Sequence, residues 1–153
     1  MVPNEKPPPP PPASDLLARV MWMLDIHDDA MFEIGFYRQI LRRDPNNVDA
    51  LRRQAKLLSD NGACRQALVL SRRLAALRPG DHGALYNLAC NLVLTRRSDE
   101  ALETLRNAIL HGFNDLDQLR SDEDLDSLRD DPRFMEVLHE LAAIKATGEP
   151  SIC

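Results

Sequence analysis

Residues 45–79 read PNNVDALRRQAKLLSDNGACRQALVLSRRLAALRP, and residues 80–112 read GDHGALYNLACNLVLTRRSDEALETLRNAILHG. The second string restates the first at a constant offset. Asp44-Pro45 recurs as Arg78-Pro79, Leu51 as Leu85, Ala55 as Ala89 and Ala67 as Ala101. A fixed period of this length marks a helix–turn–helix repeat, whose hairpins bury their apolar faces only by stacking on one another. In the first copy Val48, Leu51, Ala55, Leu57 and Leu58 fall at helical spacing. Asp60-Asn61-Gly62 breaks that helix, and Ala67, Leu70, Leu74 and Leu77 form the face of the next. The second copy follows with Ala84, Leu85, Leu88, Ala89 and Leu92, a break at Thr95 to Arg97, then Ala101, Leu102, Leu105, Ala108 and Ile109. The expectation is an all-α solenoid.

The alanines have a geometric role. Ala55 faces Ala67 and Ala89 faces Ala101 across each hairpin, and small side chains at a crossing let two helix axes approach closely. A larger residue there would overpack, at a cost of about 1–3 kcal/mol.

Small residues at the eighth and twentieth places of a 34-residue unit, with a proline near its end, resemble the tetratricopeptide repeat. Ala55, Ala67 and Pro79 stand at those places, then Ala89 and Ala101. Tyr86-Asn87-Leu88-Ala89-Cys90 is similar to a frequent bacterial form of the first helix. The second unit departs at its end, where His111-Gly112-Phe113 replaces the proline. Gly112-Phe113, Asp122-Glu123-Asp124-Leu125 and Leu128-Arg129-Asp130-Asp131-Pro132-Arg133-Phe134 resemble the end-of-group module of such proteins, which covers the last repeat with short helices. The resemblance runs from about Ser14 to Leu141 and implies tetratricopeptide hairpins closed by a C-terminal helical cap.

On this reading the chain divides into a proline-rich linker over 1–13, a divergent hairpin over 14–44, repeats over 45–78 and 79–112, a cap over 113–141 and a frayed tail over 142–153. Pro7 to Pro12 is unbroken proline, suited to an extended polyproline II rod. It reads as a spacer or as a ligand for a proline-binding domain, and the scarcity of basic flanking residues favours the spacer. Over 14–44, Leu16, Leu17, Val20, Met21 and Leu24 form one face, His27-Asp28-Asp29 the turn, and Phe32, Phe36, Ile40 and Leu41 a second face. Glu33 stands where the later units have Ala67 and Ala101. The acidic stretch after Gly112 keeps a buried side through Leu116, Leu119, Leu125, Leu128, Phe134, Val137, Leu138 and Leu141, and Asp131-Pro132 suits a helix start.

The chain has 153 residues and a net charge of −5, which argues against nucleic acid as its partner. Cys64, Cys90 and Cys153 have no paired spacing and fit a reducing compartment. No apolar run reaches membrane-spanning length and the start lacks an apolar signal core, so the expected location is the cytoplasm, with no membrane partner. Asp122, Asp124 and Asp126 open like a calcium loop. The pattern fails at Ser127 and Arg133, which replace its glycine and last glutamate. His27, His82, His111 and His139 have no zinc spacing. No phosphate loop or catalytic constellation is present, so neither a cofactor nor an enzyme activity is expected.

Between Arg38 and Arg78, ten basic residues face three acidic ones. Most read as solvated faces. Arg52 and Lys56 differ, because the resemblance implies that the first helices line a concave surface. Those positions include Ala18, Trp22 and Asp25; Asp49, Arg52, Lys56 and Ser59; Tyr86, Cys90 and Val93; Asn87 lies at the edge. Trp22 and Tyr86 would flank a basic centre, and aromatics with arginine are frequent interface anchors. Trp22 reads equally as core of the first hairpin. A clamp for chaperone C-termini is not expected: Ala18 and Trp22 occupy its first pair and Gly83 replaces a needed lysine. The implied function is a non-catalytic protein–protein interaction scaffold with Trp22, Arg52, Lys56, Tyr86 and Asn87 as groove residues and a protein or peptide partner carrying acidic groups. The alternative is an assembly or regulatory part whose groove is filled by its own chains, with Asp122 to Asp131 as the filling segment.

Overall fold

The computed structural model of the chain describes residues 29–148. The proline run, the expected helix beginning at Ser14, Trp22 and residues 149–153 lie outside them. Among the described residues there are helices and no strand. They are α1 (Asp29–Arg43), α2 (Val48–Asp60), α3 (Cys64–Leu77), α4 (His82–Leu94), α5 (Ser98–Leu110), α6 (Leu116–Ser121), a 3-10 helix (Glu123–Leu128) and α7 (Pro132–Thr147). The pairs α2–α3 and α4–α5 pack as hairpins, α1 packs on α2, and α3 packs on α4.

The same devices recur at the repeat spacing. Asn47, Asp81 and Asp115, each one repeat from the next, cap helix N-termini by accepting from the backbone amides of Ala50, Ala84 and Gln118 at 3.0, 3.0 and 2.8 Å. Each hairpin turn closes with the same pair of backbone bonds. Ala63 donates to Leu58 and Gly62 to Ser59, while Arg97 donates to Leu92 and Arg96 to Val93. This is a Schellman closure, which needs a left-handed residue. Gly62 supplies it at φ 77°, and its counterpart Arg96 takes φ 63° despite its side chain. His111-Gly112-Phe113 closes α5 the same way, with Phe113 donating to Ala108.

The crossings are as tight as the sequence demands. Ala67, Ala89 and Ala101 are fully buried and Ala55 nearly so. One core runs from α4 through the cap, joining Leu85, Leu92, Leu102 and Leu105 to Leu119, Leu125, Leu128, Phe134, Val137 and Leu141. Each such side chain contributes about 1.5–3 kcal/mol by leaving water.

The cap differs from its expected outline at its end. α7 continues past Leu141 to Thr147, where Gly148 at φ 69° stops it. It differs also in origin. Shifting the bounds of α4 by one repeat gives 116–128, the start of α6 and the end of the 3-10 helix. The same shift takes the start of α5 to Pro132, the start of α7. The cap is thus a fourth unit whose first helix is broken at Asp122. The broken half, the 3-10 helix, packs on α4.

Candidate functional site

The second and third units present equivalent helix positions very differently. On α2, Arg52 and Lys56 reach the surface, their side chains 38% and 60% exposed. On α4, the counterparts Tyr86 and Cys90 are buried at 3% and 5%, and Val93, counterpart of Ser59, at 4%.

Burial on α4 is the work of the chain downstream. Phe113, delivered by the turn after α5, stacks on Tyr86 with ring centroids 4.5 Å apart and planes within 6°. The Tyr86 hydroxyl donates to Asp122 Oδ2 at 2.7 Å, and the Cys90 thiol lies 3.9 Å from the same oxygen. The other Asp122 oxygen accepts from the Asp124 amide at 3.0 Å and caps the 3-10 helix. Arg129 holds the break from outside. It donates to the carbonyls of Arg120 and Asp122 and pairs with Asp126 at 2.6 Å. Leu125 and Leu128 then drop into the core. Burial, with Asp122 next to it, pushes the Tyr86 phenol well above its usual range, and burial does the same to the Cys90 thiol. Both stay neutral and unreactive at neutral pH.

Tyr86 therefore forms the floor beneath the cap, and does not flank an open groove in this conformation. Asn87 is half-buried, and its carbonyl accepts from Asn91 at 3.1 Å. Trp22 lies outside the described residues. The structure places Arg52 and Lys56 on one helix, and both are already engaged. Arg52 pairs with Asp81 at 2.5 Å and Lys56 with Asp60 at 2.5 Å. Burial works against the Asp81 carboxylate, but the Ala84 amide and the Arg52 guanidinium outweigh it and hold its pKa below the ordinary value. Gly83 leaves room for this pair: a Cβ there would meet Asp81 at 3.3 Å and Arg52 at 3.7 Å.

Nor is the centre of this face basic. Burial first, then Asp122, Asp60 and Glu123, raise the pKa of Asp124, and Lys56 opposes them. Three carboxylates and one ammonium thus bear on this carboxyl. The acidic segment named as the groove filling in the assembly alternative is folded, over Asp122 to Leu128, onto α4 of its own chain. Its signal was present in the sequence, in the even spacing of Asn47, Asp81 and Asp115, which extends the repeat into the cap.

Cys90, Asp122 and Asp124 each bring one ligand atom within 4.8 Å of the others. Both Asp122 oxygens are already hydrogen-bonded, and the group reads as a cap network. A shallow cleft of about 560 Å³ opens between Val48, Arg52, Leu77, Arg78, Pro79, Gly80 and Asp81, at the joint between the second and third units. No described helix is long and apolar enough to cross a membrane.

No protein-family model and no curated protein matches the chain. Solved structures do. Two crystal structures of MamA are each 24% identical over 74% of this chain, with a TM-score of 0.60, and the chain covers 67% and 62% of theirs. A MamA RS-1 ArsTM double mutant is 14% identical over 86% of this chain and 74% of its own, with a TM-score of 0.63. At these identities the likeness shows the fold alone, a solenoid of tetratricopeptide type.

Proposed function

We propose that this chain is a non-catalytic scaffold that binds a protein partner along the part of its concave face that the cap leaves open. The observation that carries this reading is the asymmetry of that face. The cap fills it over α4, and α2 leaves Arg52 and Lys56 at the surface beside the cleft at Val48 and Asp81. On a repeat fold, function comes from the lined surface. Asn87 borders this region, and Trp22 is the candidate aromatic on its N-terminal side. A partner with acidic groups has to displace Asp81 from Arg52 and Asp60 from Lys56. Lys56–Asp60 is an exposed pair, of a kind worth about 0–1 kcal/mol, whereas Arg52–Asp81 is half-buried and Asp81 also caps α4, so Lys56 is the easier of the two to release.

A second reading is a structural part whose groove is occupied by its own chain. The placement of Asp122 to Leu128 on α4 favours it for the third unit only.

The test is a pull-down with the Arg52→Glu/Lys56→Glu double variant, with partners identified by mass spectrometry. Loss of a specific partner at an unchanged melting temperature supports the groove. A change confined to oligomer size supports assembly. Collapse of the melting temperature makes the two residues structural and overturns the groove reading.

A further inference from the structure

We propose that residues 14–26 of the same chain cover the apolar face that α1 leaves open. Met31, Phe32 and Phe36 are 57%, 73% and 53% exposed, an unusual density of large apolar surface on one helix. The repeat register divides these three: Met31 and Phe32 stand one repeat before Arg65 and Gln66, which α3 leaves exposed, and Phe36 falls on a covered side. Phe36 and Ile40 stand one repeat before Leu70 and Leu74 of α3. Leu74 is 1% exposed and packs with Leu70 against Leu51 of α2. Phe36 and Ile40 therefore lie on the side of α1 that, in the next hairpin, a preceding helix covers.

The stretch just upstream carries the matching pattern. In α2 the buried positions are Ala50, Leu51, Gln54, Ala55, Leu57 and Leu58. Their counterparts one repeat earlier are Leu16, Leu17, Val20, Met21, Met23 and Leu24, all apolar. His27-Asp28-Asp29 stands one repeat before the turn at Asn61-Gly62-Ala63, and α1 itself begins at Asp29, so few residues separate the segment from α1. So short a tether holds the segment at a high effective concentration over α1, which favours it over a second copy or a foreign chain. One feature of the match differs. Met21 and Glu33 stand at the crossing that Ala55 and Ala67 occupy in the next hairpin. Glu33 turns its carboxylate to Arg53 at 3.0 Å. The bulk there keeps this cover from approaching as closely as α2 approaches α3. The same register puts Trp22 in the place of Lys56 one unit earlier. That consequence rests on the binding reading above, and the docking itself does not.

Hydrogen exchange by mass spectrometry on the full chain tests the docking, with Phe36→Asp and Leu17→Asp as variants and light scattering at two concentrations. The expected result is a monomer in which amides 16–26 exchange more than about tenfold slower than a free chain. Both variants lose that protection while amides 50–141 keep theirs. If Phe36→Asp disrupts α1 itself, Leu17→Asp decides, since it alters only the segment. Free exchange of 16–26 in the unmodified chain overturns the proposal. So does protection that grows with concentration alongside a dimer mass, which makes a second copy the occupant. A docked segment with no partner in the pull-down leaves this inference standing and removes the binding reading alone.

Discussion

Arg52 and Lys56 of α2 and Tyr86 and Cys90 of α4 are one repeat apart on equivalent helices, yet one pair meets water and the other is core. Arg52 holds a half-buried ion pair and Lys56 an exposed one. Tyr86 and Cys90 lie under Phe113 and Asp122. A repeat position fixes the direction in which a side chain points, and the covering segment decides whether water reaches it. Over α4 the cover is the fourth unit, whose first helix breaks at Asp122 and folds across the face.

The heaviest test of this contrast removes the anchor of the cover. Phe134 is 1% exposed at the first turn of α7. Phe134→Ala is expected to cost about 3–5 kcal/mol in denaturant unfolding. An unchanged midpoint would mean that the cap is not part of the cooperative core and that Tyr86 is open after all. Next in size is Asp122→Ala, which strips the 3-10 helix of its cap and leaves the Tyr86 hydroxyl buried without an acceptor. A loss of about 1–3 kcal/mol is expected. Ultraviolet difference spectra should show Tyr86 more accessible, and a silent spectrum would break the account of its burial.

A smaller effect compares the two hairpin turns. Gly62 and Arg96 share a left-handed conformation that costs an ordinary residue about 1–2 kcal/mol. Arg96→Gly should raise the melting temperature by relieving it, with a gain of at most about 1 kcal/mol after the added chain entropy of glycine. A lower melting temperature would show that the Arg96 side chain holds the turn by contacts of its own.

The smallest effect is a pH dependence. The Asp124 pKa is raised in the folded state, by burial first and then by Asp122. The folded chain therefore binds that proton more readily than the unfolded one. Its contribution is present below the ordinary carboxylate pKa and is lost as pH rises through the raised value. Asp124→Asn should be slightly more stable than the parent at neutral pH, and the gap should close as pH falls through the carboxylate range. A constant gap across pH would remove the carboxylate crowding invoked around Lys56.

Much of the fold was legible because it is periodic. Ala55, Ala67, Ala89 and Ala101 announced the close crossings, and all four are buried. The apolar side of the acidic stretch announced a cap, and Phe134, Leu125 and Leu141 are in the core. Local signals carried these readings: helical spacing, a turn glycine at Gly62, and Asp131 before Pro132. The site was less legible. Ten basic residues in the middle of the chain suggested a positive groove. Three of them, Arg52, Arg53 and Arg72, pair with Asp81, Glu33 and Glu100, which lie 20 to 29 residues away in sequence and arrive only once the hairpins stack, whereas Lys56 pairs with Asp60 on its own helix.

By itself, then, the sequence determined the repeat, its helices and the small residues at their crossings, because each of these follows from the spacing of side chains along one helix or across one turn. Tertiary structure alone decided which equivalent positions stay open. Tyr86 meets Asp122 across 36 residues, through the break that turns the fourth unit's first helix onto α4. No local propensity encodes that contact. It exists because a buried phenol needs an acceptor and the core needs Leu125 and Leu128, and one fold of the chain satisfies both.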